Sequence, residues 1–189
     1  MLKNLICIFV MMSSVVKILP HYTYEDYVQW EGRWELIEGM PYAMSPQPVP
    51  KHQRIAVNLA TEFRMALKKC KRCVVYEPID YKIAEDTILQ PDMLVVCKPI
   101  NKKFLDFSPS LVAEILSPAT ALKDRHTKFD LYQSQNIPYF IIISPDNEEA
   151  EIYEIKNGEY KLMQSGHSFS YTFSFDDCIA PIDFNEIWQ

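Results

Sequence analysis

Glycine is scarce in this sequence, with 4 glycines against 13 prolines in 189 residues. Loops that cradle phosphates with backbone N–H groups need glycines at fixed positions, and neither the P-loop pattern nor the dinucleotide-binding pattern occurs. Chemistry that depends on a bound nucleotide is therefore excluded. Internal repeats and low-complexity tracts are also missing, which favours one domain over a repeat array.

The sequence also lacks a surplus of positive charge, because its formal net charge is −6 and its pI is near 5.2. Proteins that bind nucleic acid usually carry a basic surplus, since neutralised phosphates supply much of the affinity. This balance argues against a nuclease. The objection loses force if the acids gather at a metal site or if a dimer presents a local basic cleft.

Cysteines are few and irregularly spaced: Cys7, Cys70, Cys73, Cys97 and Cys178. Cys70 and Cys73 form a C-x-x-C pair, but no second such pair or histidine pair follows at zinc-finger spacing. We therefore favour free thiols in a reducing, cytoplasmic compartment over a redox or zinc site.

Long hydrophobic runs are absent except near the N-terminus, where an apolar stretch from Leu5 to Met12 follows Lys3. This stretch is similar to a signal peptide, but it lacks a small-residue cleavage site and is too short to span a bilayer. We favour a second interpretation, in which translation starts at Met11 or Met12. Residues 1–20 are then an extension, residues 21–189 form a single domain, and no membrane segment is expected.

The spacing of apolar residues predicts the main elements of the fold. Helices are predicted over residues 23–29, 51–69 and about 121–135. Strands are predicted over residues 74–83, 92–97, 111–116 and 139–144, with hairpins over residues 33–43 and 151–163. Residues 45–50 form a proline-rich loop. This order predicts an α/β (α+β) fold with a mixed central sheet, flanking helices and added N- and C-terminal hairpins.

Two carboxylates interrupt otherwise apolar strands. Asp92 opens the strand DMLVV after Pro91, and Glu114 lies inside LVAEIL. Burying a lone carboxylate is costly unless it is paired or bound to a metal. For Glu114 alone, a salt bridge or an edge position explains the pattern equally well. Two such acids on neighbouring strands favour a site for Mg²⁺ or Mn²⁺, which prefer oxygen ligands and activate water for hydrolysis.

The predicted helix after Glu114 carries a third chemical group. Asp124, Lys128 and Tyr132 stand at i, i+4 and i+8, so they share one helical face. In isolation these residues would be an ordinary solvated face. Beside a metal site, Lys128 could orient an attacking water or stabilise the phosphate as it is attacked.

Seven segments, in this order, resemble the Uma-type family of restriction endonucleases within the PD-(D/E)XK nuclease-like superfamily. They are WELIEG (34–39), AMSP (43–46), HQRIAVNL (52–59), QPDMLVV (90–96), VAEILSP (112–118), DRHTKFDLY (124–132) and IPYFIIISP (137–145). The resemblance implies a restriction-endonuclease-like core and Mg²⁺-dependent hydrolysis of DNA. It matches Asp92 to the PD acid and Glu114 to the (D/E)XK acid. Leu116 occupies the place of the usual lysine, and the resemblance implies that Lys128 replaces it.

Two further residues lie in segments that resemble this family, Glu35 in WELIEG and His52 at the head of the first long helix. We expect Glu35 to be an additional metal-binding acid, although a hairpin salt bridge explains it equally well. For His52, a bond to the backbone at the helix start is favoured over phosphate contact or general-base work.

The sequence therefore predicts a metal-dependent endodeoxyribonuclease that acts on DNA, as a homodimer by analogy with the superfamily. Asp92, Glu114, Lys128 and Glu35 are the predicted catalytic residues, and Asp92, Glu114 and Glu35 are the predicted metal ligands. His52, Asp124 and Tyr132 are supporting residues. One alternative is a catalytically inactive nuclease-like fold that serves as a DNA-binding or regulatory module. Another is a transposon-associated nuclease whose partner supplies the DNA affinity.

Overall fold

Helices and strands are both well represented in this computed structural model, which describes residues 19–44, 49–118 and 121–189. The strands are β1 (Trp34–Ile37), β2 (Met40–Ala43), β3 (Val74–Tyr76), β4 (Tyr81–Ala84), β5 (Thr87–Leu89), β6 (Met93–Val96), β7 (Leu111–Ile115), β8 (Tyr139–Ser144), β9 (Glu149–Lys156), β10 (Glu159–Gly166), β11 (Ser170–Phe175) and β12 (Cys178–Asp183). The α-helices are α1 (Tyr24–Tyr27), α2 (Pro50–Ala66) and α3 (Phe129–Ser134). A π-helical segment, Lys123–Lys128, leads directly into α3, and 3₁₀ turns span Leu67–Lys69 and Glu186–Trp188.

A six-stranded mixed sheet in the order β10-β9-β8-β7-β6-β3 forms the centre of the fold. Strands β7 and β8 are parallel, whereas the other neighbours are antiparallel. Every residue of β6, β7 and β8 is buried, so both faces of the sheet are covered there. A second sheet, β2-β1-β5-β4, and a hairpin of β11 and β12 complete the strands described.

The two faces of the central sheet contact different elements. On one face, Ile55, Leu59 and Phe63 of α2 pack together with residues of the β11–β12 hairpin, because their spacing forms one apolar stripe. On the other face, Tyr132 of α3 lies in a second apolar cluster with Phe140 of β8. The predicted α+β class with a mixed sheet and flanking helices is confirmed.

The single strand predicted over residues 74–83 is wrong. The chain forms β3 and then β4, which belong to different sheets. Pro78 lies between them, and a proline cannot donate the hydrogen bond that a continuing strand needs. Strand β5 and the β11–β12 hairpin were not predicted.

Both predicted hairpins are confirmed, and their turns explain why. Glu38 and Gly39 have φ of 49° and 76°, and Asn157 and Gly158 have φ of 54° and 81°. Two consecutive residues in this left-handed region form the tight turn whose twist matches that of the paired strands.

The predicted N-terminal extension and proline-rich loop lie mostly outside the described residues, which omit 1–18 and 45–48. Within the described ranges, every helix is too short or too polar to cross a lipid bilayer. The boundary between an extension and a single domain at residue 21 stays a prediction.

Four cysteines pair in the structure, Cys70 with Cys178 and Cys73 with Cys97. The expectation of independent free thiols is wrong for these four residues. Their partners are distant in sequence, with separations of 108 and 24 residues, so the spacing pattern could not reveal the pairing. Cys7 lies outside the described residues.

Candidate metal-binding active site

Asp92 and Glu114 face each other across two paired strands. In the antiparallel pair of β6 and β7, Met93 lies opposite Ala113, so the next position along places Asp92 opposite Glu114. The backbone N–H of Ile115 donates to Asp92 Oδ2 over 2.8 Å, which fixes the orientation of that carboxylate. Glu114 is only 2% exposed. The structure thus brings together the two acids that interrupt apolar strands.

Lys128 is buried within a group of carboxylates. Its Nζ lies 2.9 Å from Glu114 Oε1, 2.7 Å from Glu35 Oε1 and 3.4 Å from Asp124 Oδ1. The side chain is 1% exposed, so water does not screen these contacts. The Tyr132 hydroxyl also donates to Glu114 Oε1, over 2.6 Å. The face shared by Asp124, Lys128 and Tyr132 therefore points at Glu114.

The charges in this group determine which groups are ionised. Burial alone would lower the pKa of Lys128, but Glu114, Glu35 and Asp124 outweigh it and raise that pKa well above its usual value. Burial would raise the pKa of Glu35, but Lys128 and then Lys123 outweigh it and lower that pKa. For Glu114, burial dominates and nearby acids add to it, so its pKa is raised well above the usual value. A cation placed near Glu114 would favour its ionised form.

Glu35 lies behind the lysines, away from the open part of the site. It is fully buried, its Oε1 accepts the backbone N–H of Gln90 over 3.0 Å, and Lys123 forms an ion pair with its other oxygen. Glu35 is not among the residues that line the cleft described below. In this geometry it holds Lys123 and Lys128 in position, and its predicted role as a metal ligand stays a prediction.

His52 contacts Asp92 from the first turn of α2. Its Nε2 lies 3.3 Å from Asp92 Oδ2, and the residue is 8% exposed. Burial lowers the pKa of His52, but the hydrogen bond and charge of Asp92, with a backbone bond to Ile115, raise it overall. The backbone bond of His52 is thus to Ile115 of β7 and not to the helix start, as the sequence favoured, and the contact with Asp92 orients that carboxylate.

Five of the residues described above, His52, Asp92, Glu114, Asp124 and Lys128, line a cleft of about 590 Å³. Its acidic side chains are Asp92, Glu114, Asp124 and Asp146. Its cationic side chains are Arg33, Lys51, Lys123 and Lys128. The local charge is therefore balanced although the chain as a whole is acidic. Phosphate can approach this cleft without the repulsion that the net charge suggests.

Comparison with known proteins decides the family. Residues 24–177 match the Uma2 family, which is described as "Putative restriction endonuclease". The chain belongs to the Uma2 family. An uncharacterized protein of Synechocystis sp., slr1290, is 31% identical over 142 residues, which cover 71% of this chain and 74% of the relative.

A crystal structure shares the fold of this Uma2 chain. It is described as that of "a putative nuclease belonging to DUF820" from Anabaena variabilis, and it matches with a TM-score of 0.70 at 15% identity. The match covers 88% of this chain and 97% of that one. The likeness confirms the predicted nuclease-like core.

Lys123 is one of the cleft residues that sequence reasoning missed in this Uma2 chain, together with Arg33, Lys51 and Asp146. It lines the cleft, pairs with Glu35 and lies 5.3 Å from the ring centre of Tyr42. An ideal α-helix would turn Lys123 about 100° away from the face of Asp124, so the spacing argument did not include it. The π-helical turn from Lys123 to Lys128 widens the helix and brings neighbouring residues to the same site. Asp124, predicted as a supporting residue, is 2% exposed and also lines the cleft.

An ion pair behind the site gives a first testable prediction. Arg125 in the π-helical segment contacts Glu151 of β9 over 2.6 Å, and Tyr153 donates to the same carboxylate over 2.5 Å. Burial would raise the pKa of Glu151, but these two hydrogen bonds lower it overall. We expect Glu151→Gln to lower the free energy of unfolding by about 1 kcal/mol at pH 7, a figure reduced for the partly exposed arginine.

The pH dependence of that difference follows from the lowered pKa of Glu151. A carboxylate with a lowered folded-state pKa stabilises the fold above its unfolded pKa of about 4.3, and the effect is lost as the pH falls below it. Urea unfolding of both proteins between pH 7 and pH 3 should therefore show the difference shrinking on acidification. Glu154→Gln on the same strand is the control. If the difference in the free energy of unfolding between wild type and Glu151→Gln grows on acidification, Glu151 does not have a lowered pKa in the folded protein.

Proposed function

We propose that this chain is a divalent-metal-dependent endonuclease that hydrolyses phosphodiester bonds in DNA. The observation that carries the proposal is the opposed pair Asp92 and Glu114, with the Lys128 ammonium 2.9 Å from Glu114 at the wall of a charge-balanced cleft. Membership of the Uma2 family supports the same function. The position that holds lysine in the superfamily motif is Leu116 here, and Lys128 supplies the positive charge from the following helix.

The donor set of the cleft fits Mg²⁺ or Mn²⁺. Asp92 and Glu114 lie opposite each other on paired strands and offer carboxylate oxygens to the cleft, and hard cations prefer such ligands together with water. These two residues would hold the ion, while His52 and Ile115 orient Asp92. A bound ion would lower the pKa of a water molecule and offset negative charge on the phosphate.

The remaining residues supply binding and orientation. Arg33, Lys51 and Lys123 line the cleft as cations that can contact the DNA backbone. Lys128 stays charged next to Glu114, so it can stabilise the negative charge that develops on the phosphate oxygens. Glu35 holds both Lys123 and Lys128, and Tyr132 orients Glu114.

The proposal is tested by incubating the purified protein with supercoiled plasmid while Mg²⁺ or Mn²⁺ is titrated. We expect nicking that requires the divalent ion and stops when a chelator removes it. Calorimetry should show Mg²⁺ binding to the wild type and at least about tenfold weaker binding to Glu114→Gln. If the wild type neither cuts DNA nor binds Mg²⁺, the inactive nuclease-like module is the better assignment.

Three other expectations accompany this proposal. We expect a cytoplasmic protein with access to DNA, and a homodimer, which would allow both strands of a duplex to be cut. Light scattering coupled to gel filtration measures the oligomeric state directly. The single domain over residues 21–189 is tested by limited proteolysis.

A further inference from the structure

Four cysteines from distant parts of the chain gather at one place, and none of them lines the carboxylate cleft. Cys70 follows the 3₁₀ turn after α2, Cys73 precedes β3, Cys97 follows β6, and Cys178 begins β12. The Sγ atoms of Cys70, Cys73 and Cys178 lie within 4.8 Å of one another. Cys97 is paired with Cys73. The two cysteine pairs therefore form a single cluster of four sulfurs.

We propose that these four cysteines are one structural zinc site in the reduced protein. Zn²⁺ bound by four thiolates is tetrahedral with Zn–S distances of about 2.3 Å, which puts neighbouring sulfurs about 3.8 Å apart. Once both disulfides are reduced, three sulfurs within 4.8 Å of one another and a fourth next to Cys73 are close enough to share one ion after their side chains rotate.

The spacing of Cys70 and Cys73 supports the zinc site. A C-x-x-C pair supplies two ligands to many structural zinc ions, and the other two can come from anywhere in the fold. Here the other two ligands are Cys97, just after β6, and Cys178, at the start of β12. Because they are distant from Cys70 and Cys73 in the sequence, no zinc-finger pattern is visible. Cys73 is buried, and Cys70, Cys97 and Cys178 are half-buried against the core, so the ligands are shielded but reachable.

Positive charge around the cluster favours thiolates. Lys68, Lys69, Lys71 and Arg72 flank Cys70 and Cys73 within one short run of sequence. A Zn²⁺ ion with four thiolates has a net charge of −2, and nearby cations both offset it and favour loss of the thiol protons. A pair of neutral disulfides has no such need. Arg72 additionally contacts Asp176 and Asp177 in the β11–β12 turn, each over 3.5 Å.

The chemistry balances without a change of oxidation state. Four thiols release four protons as one Zn²⁺ binds, whereas forming the two disulfides removes four electrons and four protons and needs a thiol oxidant. The reduced form follows from the cytoplasmic location proposed above. Bound zinc would tie the β11–β12 hairpin and the end of α2 to the β3–β6 edge of the central sheet.

The test uses the full-length protein purified under a dithiol reductant in the presence of zinc and then freed of unbound metal. We expect about one zinc per chain by elemental analysis, and replacement by Co²⁺ should give the visible absorption of a tetrahedral thiolate complex. These readouts do not depend on DNA cleavage, so failure of the nuclease proposal would leave them unchanged. If the reduced protein retains no zinc, the proposed zinc site is wrong.

Cysteine variants separate the zinc site from two disulfides even if a variant is less stable. Cys97→Ser should reduce the zinc content of the reduced protein at least about tenfold. Cys7→Ser is the matched control and should keep its zinc, as should Asp92→Asn in the carboxylate cleft. If Cys97→Ser prepared in the same way keeps as much zinc as the wild type, Cys97 is not a ligand and the four-cysteine site is wrong.

Discussion

Replacing Lys128 by methionine should lower the free energy of unfolding by about 3–5 kcal/mol, the largest stability change we expect from a single substitution in the site. Lys128 is 1% exposed and contacts Glu35, Glu114 and Asp124. Its loss leaves these acids facing one another in a region where water cannot screen them. Methionine has a similar length and no branch, so it adds little cost from a cavity.

Denaturant unfolding in the presence of a chelator measures this effect. The midpoint should fall without a change in slope, which shows that stability changed and that the unfolding mechanism did not. Lys51→Met is the matched control, because Lys51 is 38% exposed and its ion pair with Glu148 contributes less than about 1 kcal/mol.

A double variant distinguishes electrostatic from packing effects. Glu114→Gln removes one of the acids that Lys128 balances, so adding it to Lys128→Met should recover about 1–2 kcal/mol of the loss. If the loss of stability in Lys128→Met came from packing alone, adding Glu114→Gln would not recover it. If Lys128→Met unfolds within about 0.5 kcal/mol of the wild type, then the carboxylates are not ionised around this lysine and the description of the site is wrong.

Sequence reasoning found the site because charge was conspicuous there. Asp92 and Glu114 interrupt runs of Leu, Val and Ile, and a buried carboxylate needs a physical reason. The spacing of Asp124, Lys128 and Tyr132 then predicted a shared helical face, which the structure places against Glu114. Each inference depended on local periodicity, which the sequence displays directly.

What sequence reasoning missed depended on contacts between distant segments. Nothing near Glu35 in the sequence shows that Lys123 and Lys128 will cover it. The π-helical turn that makes room for Lys123 leaves no pattern, because its sequence KDRHTK is compatible with an ordinary helix. Likewise, the partners of Cys70 and Cys73 lie at the start of β12 and just after β6, whose positions only the assembled fold determines.

The break at Pro78 was a different kind of error. Residues 74–83 are rich in Val, Ile and Tyr, which are typical of strands, but Pro78 interrupts them. Proline removes a donor that the sheet needs, so one residue decided that β3 and β4 join different sheets. The misplaced boundary did not affect the site, because neither segment contributes a residue to the cleft.

Replacing Asp92 by asparagine should lower the rate of DNA cleavage about 10²–10³-fold while leaving the fold intact. The substitution exchanges an anionic oxygen ligand for a neutral amide of the same shape, which weakens binding of a hard cation. The amide oxygen can still accept the Ile115 N–H bond that now holds Asp92, so stability should change by less than about 1 kcal/mol. Cleavage rates and unfolding curves on the same preparations separate the two effects.

Asp146→Asn gives the matched control for this rate. Asp146 lines the same cleft and is exposed, but it lies outside the group around Glu114. Its substitution makes the same change in charge and should alter the rate less than about threefold. Because Asp92→Asn loses affinity for the ion, the Mg²⁺ concentration for half-maximal cleavage should rise in that variant alone. Equal rates for wild type and Asp92→Asn would mean that the opposed acids do not hold the catalytic ion, since no other effect of this substitution would compensate for the lost charge.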